Sequence, residues 1–232
     1  MLYQAELLPA TDQVLSNDTS TGAFRRSRRI MLRMRELLLA SQNPGKLNEM
    51  RLLVEGMPFR VVGPREIGID DSPDETGGSF LENAILKARH YAARSGLLAV
   101  ADDSGLSVDA LGGEPGLQSS RFGGEGASDL DRNRLLLEKL RGVPWEKRGA
   151  TFTSAVVVAQ GERVSFQAQE TVSGLISPEP RGTNGFGYDP LFFYPPFGRT
   201  FGEVSRQEKD AVSHRGKAFG RLRAYLASLD LA

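Results

Sequence analysis

With 232 residues and no cysteine, this chain excludes disulfides, thiolate catalysis and zinc–thiolate centres, and His90 and His214 alone are too few for a histidine-rich zinc site. Its 29 basic and 29 acidic residues balance, but Arg25, Arg26, Arg28, Arg29, Arg33 and Arg35 crowd into the first 35 positions and leave the remainder slightly acidic. An acidic body argues against a nucleic-acid-binding surface, and no apolar run approaches the ~20 residues of a membrane span.

In chain order, residues 1–33 show no sustained period of 2 or 3.6 and include the polar, turn-rich Ser16–Gly22. They are read as a disordered or dispensable extension, with 34–232 as one domain. Met31 and Met34 stand as alternative starts. Glu36–Ala40 reads as a buried strand, Pro44–Glu55 as a helix, and Phe59–Val62 as a strand ended by Gly63-Pro64. A helix follows over Phe80–Arg94, with Phe80, Ala84, Ala88 and Tyr91 along one face. Leu97–Ala101 and Leu106–Leu111 read as two strands separated by a Ser104-Gly105 turn. After the Gly112–Gly126 loop come a helix near Leu130–Leu140 and an antiparallel pair, Thr151–Gln160 and Arg163–Leu175. Leu191–Tyr194 and a closing helix over Arg215–Ser228 complete an α/β fold with a mixed sheet.

Five segments carry chemistry. In Ser41-Gln42-Asn43-Pro44-Gly45-Lys46, Asn43 suits a helix N-cap and Pro44 the first helical position. Free amides and a lysine at a helix start suit phosphate, and an ordinary capped helix with an exposed lysine fits the same residues. Ser79 and Glu82 have capping-box spacing, while Glu75 in the preceding loop has no local task. Glu75 is open to two readings, a metal ligand or a solvated loop acid, and Lys87 faces either a cleft or solvent. Asp102 and Asp103 end the Leu97–Ala101 run. Two like charges there call for a compensating cation, for which hard oxygen ligands favour magnesium, calcium or manganese. The alternative is a solvated turn capped by Asp103.

Gly185-Phe186-Gly187-Tyr188-Asp189-Pro190 lacks the third glycine of a dinucleotide fingerprint. Its two rings suit stacking on a planar base whose edge the amides and Asp189 read, or they fill core around a tight turn. Lys209, His214 and Arg215 add cations near the start of the final helix.

These segments, in this order over residues 36 to 228, resemble the non-canonical purine nucleoside triphosphate pyrophosphatase family, also called inosine triphosphatase or HAM1-like. The extension has no counterpart in the family pattern. The resemblance implies an elongated mixed central sheet with flanking helices, two lobes around a substrate cleft, and a cytoplasmic homodimer. It implies hydrolysis of ITP, dITP and XTP to monophosphate and pyrophosphate with magnesium. Carried over by motif, Ser41 to Lys46 bind phosphates, Asp103 is the proton acceptor and a metal ligand, Glu75 is the second ligand, and Asp102 is a weaker candidate. Ser104 touches substrate. Phe186, Gly187, Tyr188, Asp189, Lys209, His214 and Arg215 hold the nucleotide and select its base. A canonical-nucleotide pyrophosphatase of the Maf type shares a related fold but has a Ser-rich first loop, where this chain has Asn-Pro-Gly-Lys. A nucleotide sensor would have no use for Asp103 as a base.

Overall fold

The structure is a computed structural model that describes residues 34–229, so the expected extension over 1–33 lies outside the described residues. Among these, seven strands form one sheet: β1 (Arg35–Leu39), β2 (Phe59–Val62), β3 (Leu98–Val108), β4 (Gly149–Gln160), β5 (Arg163–Ile176), β6 (Phe192–Tyr194) and β7 (Arg199–Thr200). Their spatial order is β2-β1-β3-β4-β5-β6-β7. The first three are parallel because helical crossovers connect them: α1 (Pro44–Leu53) joins β1 to β2, and α2 (Phe80–Ser95) joins β2 to β3. From β3 onward every pairing is antiparallel, which makes the sheet mixed as expected. The remaining helices are α3 (Asp129–Lys139), α4 (Arg206–Val212) and α5 (His214–Ser228).

Period-2 alternation sorts the β3 side chains onto two faces. Leu98 and Val100 join Leu37, Leu39, Met50, Phe219 and Leu222 in a core beneath α1 and α5. Ala99 and Ala101 face the other way and meet Ala84, Ala88, Tyr91 and Ala92 of α2. Alanine on both partners lets the helix lie close to the sheet, and Ala84, Ala88 and Tyr91 of the expected face are indeed buried. A further core, built on Leu106, Val108, Phe152, Phe192 and Phe201, packs beneath α3 and the loop before β6.

One expectation fails in a way that decides the site. There is no Ser104-Gly105 turn: β3 runs unbroken from Leu98 to Val108, paired with β4 from Leu98↔Gln160 to Val108↔Ala150. The glycine serves close approach instead. A Cβ at Gly105 would lie 2.5 Å from Ser119 Oγ, 2.6 Å from Gly116 O and 2.8 Å from Phe80 Cε1. The expected Leu106–Leu111 strand accordingly ends at Val108, and a 3₁₀ turn covers Asp109–Leu111. Asp102 and Asp103 therefore stand in mid-strand, and alternation sends them to opposite faces.

Candidate active site

The first strand–helix turn forms as its residue types dictate. Asn43 Oδ1 accepts from the amides of Gly45 (2.8 Å) and Lys46 (3.3 Å), and Pro44 opens α1. Ser41 Oγ accepts from Asn43 N at 3.2 Å, while Gln42 Nε2 reaches the carbonyl of Asp70 at 3.3 Å. Lys46 extends from the first turn to β3, where its Nζ lies 2.9 Å from Asp102 Oδ2 and donates to Asp102 O at 3.3 Å.

Asp102 occupies the face shared with α1 and α5. Its carboxylate is buried, accepts from Ser154 Oγ at 2.9 Å, and meets Arg215 Nη2 at 3.1 Å as well as Lys46. Burial alone would push this carboxyl up. Lys46 and Arg215 outweigh that and hold it far below the carboxylate range. The compensating charge anticipated for the aspartates is thus supplied at Asp102 by the chain's own cations. Arg215 also pairs through Nη1 with Glu49 Oε2 at 3.0 Å, and its guanidinium lies over the rings of Phe186 (5.3 Å) and Phe219 (5.2 Å).

Asp103 occupies the α2 face. Lys87 Nζ lies 2.7 Å from Asp103 Oδ1 and 2.9 Å from Glu75 Oε1, so Lys87 faces this cluster rather than solvent. Arg121 Nη2 adds a 2.8 Å contact to Glu75 Oε2. Burial pushes both carboxyls up. For Glu75, Lys87 and Arg121 reverse the effect and its pKa falls below the ordinary value; for Asp103, burial and the charge of Glu75 prevail over Lys87 and its pKa rises. Two neighbouring carboxylates pushed apart in this way suit an acid–base division of labour. Glu82, by contrast, is structural: Ser79 Oγ caps its amide at 3.1 Å, and its own carboxylate accepts from Gly78 N at 2.7 Å.

Among the described residues no group of three or more His, Cys, Asp or Glu side chains forms a metal cage. Glu75 and Asp103 nevertheless converge on one cation, presenting two hard oxygen donors. That set fits magnesium, which typically takes one or two carboxylates and completes its shell with water and substrate phosphates.

The Gly185–Pro190 loop separates its two aromatic rings. Tyr188 is buried in the core with its OH donating to Ser119 O at 2.8 Å, whereas Phe186 is 49% exposed. Of the two rings only that of Phe186 is exposed, and Lys209 (4.9 Å) and Arg215 (5.3 Å) lie over it. Asp189 does not project as a base-reading group. Its Oδ2 accepts from Phe186 N at 2.8 Å and pairs with Lys209. Gly187 N is likewise taken, at 2.6 Å, by Asp129 Oδ2, and Asn133 Nδ2 donates to Gly187 O at 3.0 Å. The amides expected to read the base at Phe186 and Gly187 are therefore already spent.

A cavity of about 190 Å³ brings together Asn43, Lys46, Ser104, Phe186, Gly187, Tyr188, Asp189, Lys209, His214 and Arg215. It adds Ser119, Ser120, Asp129 and Arg132, which sequence reasoning missed because they arrive by packing of α3 and its preceding loop. Ser41, Gln42, Gly45, Glu75 and Asp103 do not line it. Hydrogen-bonding capacity remains unspent at two buried atoms beside it, His214 Nδ1 and Arg215 Nε.

His214 is not the cation expected from sequence. It stacks on Phe152 (centroids 4.6 Å apart, planes 9° apart), and burial together with Arg215 and Lys209 lowers its pKa to about 3. An unfolded chain takes up this proton first as pH falls below 6.5, so the folded state loses stability between pH 6.5 and 3. Urea unfolding is expected to show a loss of roughly 2 kcal/mol from this residue between pH 7 and pH 5. His214→Gln should remove that slope; an equal slope in the variant would contradict the assignment.

Comparison with known proteins places these features in context. A family model described as the Ham1 family matches residues 37–225. The dITP/XTP pyrophosphatase of Xanthomonas oryzae pv. oryzae is 46% identical over 200 residues, covering 85% of this chain and 100% of that protein. The Yersinia pseudotuberculosis dITP/XTP pyrophosphatase is 48% identical over 189 residues, covering 80% and 94%. Among solved structures, a HAM1 protein from Coxiella burnetii aligns with a TM-score of 0.78 at 41% identity, covering 84% of this chain and 100% of that one.

Proposed function

The chain belongs to the Ham1 family, and from that premise we propose that it hydrolyses the non-canonical purine nucleoside triphosphates ITP, dITP and XTP to monophosphate and pyrophosphate. The observation that carries this reading is the division of β3. One face delivers Asp102 with two cations that line the cavity, and the other delivers Asp103 with Glu75 and a lysine.

In this reading the base lies in the cavity against Phe186, and the triphosphate passes Lys46 and crosses the edge of β3 beyond Val100, where its pairing with β1 has ended, to reach Asp103. Lys46 and Lys87 withdraw charge from phosphate oxygens that would otherwise repel an incoming nucleophile. Asp103 takes a proton from water as the water attacks the α-phosphorus in line, and pyrophosphate leaves intact. Magnesium, held by Asp103 and Glu75 when bound, supplies further charge neutralisation at the phosphates. Arg215, a donor-only side chain that lines the cavity, suits the 6-keto acceptor of hypoxanthine or xanthine, whereas adenine presents a 6-amino donor at that position. The reading also carries a homodimer acting in the cytoplasm, which rests on the family resemblance. Among the described residues no helix is long and apolar enough to cross a membrane.

Two measurements test the chemistry. Phosphorus NMR of the products is expected to show IMP and pyrophosphate in equal amounts from ITP; IDP and orthophosphate would overturn the proposed bond cleavage. Activity should vanish in EDTA and return with magnesium, and full activity in EDTA would remove the metal from the account.

A further inference from the structure

The proposed reaction leaves Asp102 without chemical work, since it faces away from Asp103 and Glu75. Its surroundings give it a different task. A single oxygen, Asp102 Oδ2, meets Lys46 Nζ at 2.9 Å and Arg215 Nη2 at 3.1 Å, while Oδ1 is occupied by Ser154. Lys46 belongs to the first turn of α1, at the proposed phosphate end, and Arg215 to the first turn of α5, at the proposed base end. Glu49, also on α1, pairs with the same guanidinium at 3.0 Å. Neither cation can shift without changing its distance to the carboxylate that the other shares. The Asp102 side chain is only 1% exposed, so its carboxylate cannot exchange either contact for bulk solvent.

We propose that Asp102 is a positioning residue that couples the two ends of the nucleotide site, so that a base seated against Arg215 fixes Lys46 for the phosphates. This rests on the function proposed above and adds to it the route by which base identity reaches the reacting end. Binding energy from a remote part of a substrate is expressed in catalysis only if such a connection exists. Small misplacements of the phosphate-binding cation are correspondingly costly.

The test splits the substrate into two probes, inosine and inorganic tripolyphosphate, and measures each by calorimetry alone and in the presence of the other. In the unaltered protein, inosine is expected to tighten tripolyphosphate binding at least about fivefold. In Asp102→Asn, which keeps the side chain's size and removes its charge, the coupling should fall to about onefold. The ITP-to-ATP ratio of kcat/KM should fall with it. A merely structural aspartate would lower the folded fraction and leave both ratios unchanged in the molecules that remain folded. If Asp102→Asn does not fold, Ser154→Ala removes only the hydroxyl that steadies Oδ1 and should weaken the coupling in the same direction. Unchanged coupling in whichever variant folds overturns the proposal, as does its absence from the unaltered protein. Coupling that is present in a protein unable to hydrolyse ITP would instead count against the function and leave the positioning role standing.

Discussion

Asp103→Asn is expected to lower kcat on ITP by about 10²–10⁴-fold, the range typical of a lost general base. Asparagine keeps the volume and one acceptor for Lys87, which lies 2.7 Å from Asp103 Oδ1, so the local packing survives. What disappears is the ability to take a proton, together with one of the two hard anionic donors that face Lys87. The effect should fall chiefly on kcat, because the proposed nucleotide contacts of Phe186, Arg215 and Lys46 are left unaltered. Steady-state kinetics with a circular dichroism control checks both points, and an undiminished kcat would place the base elsewhere.

The largest effect on stability is expected at the neighbouring residue. Asp102→Ala removes the shared partner of two cations, one of which, Arg215, has only 8% of its side chain exposed. Breaking a buried pair from one side costs about 3–5 kcal/mol, because the remaining charge is left uncompensated. Against a typical total of about 5–15 kcal/mol, that is a large fraction. The contribution also has a defined pH dependence. Folding holds Asp102 below its ordinary value near 3.8, so the unfolded chain protonates first. Stability from this group is full well above pH 3.8 and is lost progressively as pH falls below it. Urea unfolding at pH 7 and again at pH 3 should show the alanine variant's deficit shrinking in acid. A deficit that grows in acid would reverse the assignment of charge.

The local structure of this chain was largely written in local signals. Asn43-Pro44 and Ser79-x-x-Glu82 mark helix starts, and both caps form through side-chain acceptance of backbone amides. The small-residue stripe of α2 marks its buried face. The same signal starts α4, where Ser205-x-x-Glu208 forms a reciprocal cap. Gly105 misled because glycine after serine has the composition of a turn, and only tertiary structure shows that Ser119 and Gly116 crowd it. Once β3 is continuous, the opposite fates of Asp102 and Asp103 follow from alternation alone.

The chemistry was less legible where it depends on long-range partners. Nothing in Phe186-Gly187-Tyr188-Asp189 distinguishes an exposed ring from a core ring, or an acid that reads substrate from one that ties a loop. Those roles are set by Ser119, Lys209 and Asp129, which are distant in sequence. Arg121 reaches Glu75 across 46 positions, and Arg132 joins the cavity through α3. His214 read as a cation because its type permits one, whereas burial among other cations keeps it neutral.

Selectivity for the 6-keto purine triphosphates is the property that the donor-only Arg215 in the cavity lining is proposed to confer. It is tested most directly by kcat/KM for ITP, dITP, XTP, GTP and ATP under one set of conditions with magnesium. ITP, dITP and XTP are expected to exceed ATP by at least about 10²-fold, because adenine presents its 6-amino donor where the 6-keto purines present an acceptor to Arg215. Comparable values for ATP and ITP would contradict it.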